Sequence, residues 1–304
     1  MNDLRIGLYD PARESSACGV GFITRKDGRQ DHDVIVRGEQ ALCAIPHRGG
    51  MSSEGVGDGA GVSVDLSVRF FSALTGWPLE PGAFGVANLF MPTDPAYEAQ
   101  AREIVRAALE RQGLEVLLER LVPVDPSALR PAAAAYQLPI VQWVFVAPAD
   151  RTRSDVDRAA NAALLEIEQR GYESPELAGL YPLSLSARTQ VLKGRLNAGE
   201  VVSYFSDLVD PRHEVRTLYF HTRFSTNTEP HPSMAQPFRM MAHNGELNTD
   251  RKNRLADDAG ARARLRRIVR PPGQSDSSRL DQTLQSRVFD DGLDTVEAVV
   301  SLMP

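Results

Sequence analysis

The chain has 304 residues, 42% of them hydrophobic and 24% charged, with a formal net charge of −6. That apolar content supports a substantial core, while no apolar run approaches the roughly 18 to 20 residues that a membrane-spanning helix needs. The modest, dispersed charge presents no nucleic-acid face, and two cysteines exclude a disulfide framework and a four-cysteine zinc site, in keeping with a reducing cytoplasm.

Residues 1–17 carry Asp3, Arg5, Asp10, Arg13 and Glu14 and lack the apolar stretch of an export signal, so the leader needs another explanation. Directly after it, "ACGVGF" places Cys18 between an alanine and two closely spaced glycines, where the strand "GVGFIT" is predicted to begin. A lone cysteine in that setting reads first as a small core residue, and so does Cys43. "HRGG" (47–50) then runs into "GDGAG" (57–61) ahead of the strand "AGVSVDL". So much glycine marks either a flexible turn or a mobile loop passing close to a neighbouring group.

"FGVANLFM" reads as the next strand, followed by a helix with Asp94 as N-cap, Pro95 at its first position and Gly113 as its stop. Its inward face is Tyr97, Ala101, Ile104, Val105 and Ala108. "RPAAAAY" is a loop-like break, and "LPIVQWVFVA" is another strand. A second helix starts near Ser154, with Asp157 completing an approximate capping box, and runs to Gly171 with Ala160, Leu164 and Ile167 inward. "VRTLYFH" and "FRMMAHN" are the last predicted strands. The strands come in groups rather than in strict alternation with helices, which predicts antiparallel sheets covered by helices in one domain.

The segment from His221 to Asp250 holds three of the six histidines, but no pair has the spacing of a zinc motif on one helix face, so no metal site is expected. Arg223 follows directly on an apolar strand, where its planar fork of donors suits a carboxylate. Asn244 and Gly245 pair a side-chain amide with a glycine N–H open to close approach; the same dipeptide alone reads as a hairpin turn. In "GQSDSSRLDQ", Asp276 precedes a helical pattern, either as its N-cap or as a carboxylate able to grip an ammonium.

Taken in order, "ACGVGF", "HRGG…GDGAGV", "SLSARTQVLKG", "HTRFSTNTEP", "AQPFRMMAHNGELNT" and "SDSSRLDQ" closely resemble the glutaminase domain of glutamate synthase large subunits, a class II glutamine amidotransferase. The compound signature is long and specific, and the match runs from Cys18 to about the chain end. The resemblance implies an N-terminal nucleophile hydrolase, an α+β fold of four layers (αββα) with two antiparallel sheets between helices. It implies residues 1–17 as a propeptide and residues 18–304 as the amidotransferase domain, C-terminally incomplete. Cys18 would be the nucleophile, exposed as the first mature residue so that its α-amine serves as general base. Asn244 and Gly245 would form the oxyanion hole, Arg223 would clamp the α-carboxylate of L-glutamine, Asp276 would bind its α-ammonium, and Arg48 would order the nucleophile end and the lid.

One departure is "GMSSEGV" after "HRG", where the family has an alanine and a small-residue and acidic stretch, implying a lid that closes differently. The family's synthase part binds FMN and an iron–sulfur cluster. Two cysteines cannot supply three cluster ligands, so no cofactor is expected in this chain. The expected activity is hydrolysis of glutamine to glutamate and ammonia, the ammonia passing to a synthase domain or subunit that aminates 2-oxoglutarate. The rival reading is a non-catalytic module that senses glutamine with the leader still attached.

Overall fold

The structure, a computed structural model, describes residues 18–223, 229–244, 250–264 and 274–303. Its strands are β1 Gly19–Thr24, β2 Ala60–Asp65, β3 Phe84–Phe90, β4 Glu115–Leu121, β5 Ile140–Val146, β6 Tyr181–Ser186, β7 Thr189–Gly194 and β8 Thr217–Thr222. The helices are α1 Asp33–Ala44, α2 Val68–Thr75, α3 Pro95–Arg111, α4 Arg153–Glu173, α5 Val201–Tyr204, α6 Ser206–Val209, α7 Asp250–Ala263, α8 Asp276–Phe289 and α9 Thr295–Ser301.

Two four-stranded sheets form, in the orders β1-β8-β2-β7 and β4-β5-β3-β6, and every pairing is antiparallel. This is the expected α+β sandwich. Val62, Val64, Leu192 and Leu218 of the first sheet share one buried cluster with Phe90, Ile140 and Leu183 of the second, so the sheets pack face to face. Polar groups trapped between them are satisfied: Gln142 donates to Asn88 at 2.9 Å, and the Asn88 amide donates to the Val191 carbonyl at 3.0 Å. On the outer side of the second sheet, Ala87, Leu89, Val141 and Trp143 pack against Ala101, Val105 and Ala108 of α3 and Ala160, Leu164 and Ile167 of α4.

Helix α3 follows its sequence. Asp94 accepts from the Ala96 and Tyr97 amides, Pro95 occupies the first turn and Gly113 takes φ +67° just past the end, although Tyr97 stays 40% exposed. Helix α4 begins earlier than expected. Its capping box is Thr152 with Asp155, while Asp157 is buried and ion-paired with Arg188. Likewise Ser275, not Asp276, caps α8 by accepting from the Ser278 amide at 3.1 Å.

"FRMMAHN" is not a strand. Its backbone donors turn inward instead: the Asp281 carboxylate accepts from Arg239, Met240 and Met241 and the Met241 carbonyl from Phe238, which leaves no donor row for a sheet neighbour. Strands β4, β6 and β7 went unpredicted. In β4, Glu119 accepts from Arg102, Arg106 and Trp143, and these charged partners mask the strand pattern at a sheet edge.

Candidate active site

Strand register gathers the site. The β1–β8 ladder opens with Gly19 opposite Thr222, and the β2–β8 ladder opens with Ala60 opposite the same residue. Cys18, Arg223 and Gly59 therefore lie one residue beyond the paired segments, at a single end of the sheet. The two glycine-rich stretches grip Arg223 by its backbone: its N–H donates to Gly59 and its carbonyl accepts from Gly50, both at 2.8 Å, while Asp58 donates to the Gly50 carbonyl at 2.9 Å. Gly59 has φ +138°, and a Cβ there would stand 2.8 Å from the Cβ of Ala235, so a side chain is excluded on both counts. The loop expected to be mobile is thus tied to the end of β8.

Arg223 is only 9% exposed. Burial pulls its guanidinium below the usual arginine range, and the charges of Asp58 and Cys18 oppose that pull. Cys18 is half-buried. Arg48, on a short 3-10 turn Pro46–Arg48, packs its Cβ 2.9 Å from where a Cβ on Gly19 would sit, which places it beside the Cys18 end of β1. Cys43 lies elsewhere, exposed on α1, and partial desolvation together with Glu39 pushes its thiol pKa up, away from thiolate character.

Asn244 reaches the same point from the other side: its side-chain N–H donates to the Cys18 carbonyl at 2.5 Å. His243 before it is fixed twice by Gln236, whose Oε1 accepts from the His243 N–H at 2.8 Å and whose Nε2 donates to the His243 carbonyl at 3.1 Å. His221 Nε2 lies 3.2 Å from that carbonyl and, facing a pure acceptor, carries the proton. Burial pushes His221 down to about 4, assisted by Arg223, His243 and Lys193, so its ring is neutral around pH 7. Asp276 is exposed in the first turn of α8 and accepts from the Ser277 N–H at 2.6 Å; Ser277 Oγ in turn stands 3.4 Å from His243 Nδ1.

Cys18, Arg223 and Asn244 therefore meet at one sheet end, Arg48 lies against it, and Asp276 is linked to it through Ser277 and His243. Gly245 and the leader lie outside the described residues. Gln236 and Lys193 belong to the same region and escaped the sequence reading, and His221 entered it only as a histidine without zinc-motif spacing. A lysine inside the buried run "VLKG" was the available signal, since a lysine is seldom fully buried without a partner. A thiol, a buried guanidinium and an amide donor grouped in this way suit acyl transfer from a substrate bearing a carboxylate.

Among the described residues no helix is long and apolar enough to cross a membrane, and no group of three or more His, Cys, Asp or Glu could hold a metal ion. The family model for class II glutamine amidotransferases matches residues 18–304. The chain is 32% identical to the NADH glutamate synthase of Saccharomyces cerevisiae over 98% of its own length and 15% of that protein's. It is 33% identical to the NADPH glutamate synthase large chain of Bacillus subtilis, covering 81% of this chain and 16% of the relative. It is 31% identical to ferredoxin-dependent glutamate synthase 1 of Arabidopsis thaliana, covering 98% and 19%. The chain thus spans less than a fifth of the length of these relatives.

Proposed function

The chain belongs to the class II glutamine amidotransferases, an enzyme family, and from that premise we propose that it hydrolyses L-glutamine to L-glutamate and ammonia through a thioester on Cys18. The observation that carries this reading is the convergence of Cys18, Arg223 and Asn244 at one end of one sheet.

The Cys18 sulfur attacks the side-chain amide carbon of glutamine, ammonia leaves, and water then cleaves the thioester to release glutamate. In a chain beginning at Cys18, the α-amine takes the thiol proton and returns it to the leaving nitrogen; its ordinary pKa near about 8 suits both transfers. That base exists only after scission of the Ala17–Cys18 bond, which assigns residues 1–17 as a propeptide. An asparagine amide has two N–H groups. With one on the Cys18 carbonyl, the other is available to the tetrahedral oxyanion, joined there by the Gly245 N–H. Arg223 clamps the α-carboxylate, Asp276 binds the α-ammonium, and Arg48 orders the nucleophile end and the lid.

The ammonia passes to a synthase domain or subunit that aminates 2-oxoglutarate. The iron–sulfur cluster is assigned to that part, because two cysteines do not make a three-thiolate ligand set here. The glutamine-sensing alternative gains no observation of its own: a sensor needs clamps for the two charged groups, but neither a thiol nor an amide donor beside them.

Glutamine hydrolysis by protein with Cys18 at its N-terminus tests the reading. Cys18→Ser lowers the rate by roughly a thousandfold, since a hydroxyl is far less ionised than a thiol, while Cys43→Ser leaves it essentially unchanged. An active Cys18→Ser protein contradicts the assignment.

A further inference from the structure

Lys193 on β7 is 1% exposed, and its Nζ donates to the carbonyls of Ser233 at 3.2 Å and Ala235 at 2.7 Å. The same nitrogen lies 5.4 Å from the ring centroid of Tyr181 and 5.0 Å from that of Phe238. Burying an amine is costly unless its donors are met. Its hydrogen-bond partners here are backbone carbonyls rather than a carboxylate, and both carbonyls belong to the segment that leads from the 3-10 turn Pro232–Met234 to Asn244.

That segment has no sheet partner and is anchored by side chains. Asp281 holds its turn at residues 239–241, Gln236 ties it across to His243, and Lys193 holds its entry. The route from Lys193 to the site is short: Ala235 precedes Gln236, Gln236 makes both bonds to His243, and Asn244 follows. Strand β2 is bare where the lysine and the segment cross it. A Cβ on Gly61 would stand 2.4 Å from the Lys193 Cβ and 3.0 Å from the Gln236 carbonyl oxygen.

We propose that Lys193 is a positioning residue for the Asn244 amide, holding residues 233–235 so that Gln236 and His243 place that amide against Cys18. The proposal rests on the reading of Asn244 as an oxyanion donor. Burial, reinforced by Arg239 and opposed by Asp281, pushes Lys193 down to about 7. A neutral amine still offers two N–H groups for two carbonyls, so the clamp works through hydrogen bonding and outlasts loss of the proton.

Lys193→Met keeps most of the buried volume and removes the donors; Lys193→Leu is a second replacement without a donor, and either variant that melts cooperatively supplies the test. Peptide-resolved hydrogen exchange and glutamine kinetics are measured on protein with Cys18 at its N-terminus. Exchange across residues 233–244 is expected to rise about tenfold or more while the sandwich strands stay protected. The kcat is expected to fall about tenfold or more, with KM within about threefold, because the displaced amide acts only in the transition state. Unchanged exchange across 233–244, or faster exchange with kcat intact, overturns the proposal. If the wild type does not hydrolyse glutamine, the glutaminase reading falls and the exchange comparison alone decides whether Lys193 is the clamp.

Discussion

The side-chain amide of Asn244 donates to the backbone carbonyl of Cys18 across a sequence separation of 226 residues. This bond fixes a donor beside Cys18 before any substrate arrives, and under the proposed mechanism such preorganisation is what would let a hydrogen bond lower a barrier rather than merely bind.

Asn244→Ala is accordingly expected to cost about a hundredfold or more in kcat with little change in KM, because the oxyanion it meets exists only during the reaction. Steady-state glutamine kinetics decide the point. A change confined to KM would show that the amide serves ground-state binding instead.

Arg223→Ala and Asp276→Ala should behave in the opposite way. The α-carboxylate and α-ammonium of glutamine keep their charges throughout the reaction, so these side chains contribute mainly uniform binding. KM rises in both variants by more than kcat falls. Asp276 is exposed and caps no helix, so its replacement reports on substrate rather than on folding. Thermal melts alongside the kinetics verify that, and a kcat loss exceeding the KM rise would remove Asp276 from the role of ammonium partner.

Acid should loosen the fold through His221. Its folded pKa of about 4 lies below the ordinary 6.5, so between those values the unfolded chain holds a proton that the native one does not. Stability is therefore complete above about pH 6.5 and is lost as pH falls toward 4. At about 1.36 kcal/mol per pH unit, the loss is roughly 3 kcal/mol. Protonation at Nδ1, which has no hydrogen-bond partner among the described residues, would add a buried donor near Arg223, His243 and Lys193. Buried His213 is shifted in the same direction by burial and adds to the trend. In urea titrations from pH 7 to 4.5, His221→Gln should show a shallower fall in stability than the wild type; equal falls would clear His221 of the effect.

The sequence was most legible where a local rule decides the structure. Asp94, Pro95 and Gly113 fix both ends of α3 because their partners lie within one turn of chain. At α4 two competing caps stand two residues apart, and the reading took Ser154 with Asp157 where Thr152 with Asp155 prevails, because Asp157 is drawn to Arg188 on a distant turn. The segment "FRMMAHN" has the composition of a strand, yet its hydrogen bonds go to Asp281, some 40 residues further on, which no local pattern encodes. The same holds for the site. Cys18, Arg223 and Asn244 could be named from their motif, whereas Lys193 and Gln236 act through backbone groups of a loop whose path only the folded chain reveals.

The central claim is that Cys18 is an N-terminal nucleophile, and the most direct measurement combines intact mass with site-mapped labelling of the active protein by a diazo-ketone analogue of glutamine. The account predicts a chain that begins at Cys18, loses activity as it takes up one label, and carries that label on Cys18. A fully active preparation that retains residues 1–17, or a label found on Cys43, would contradict it.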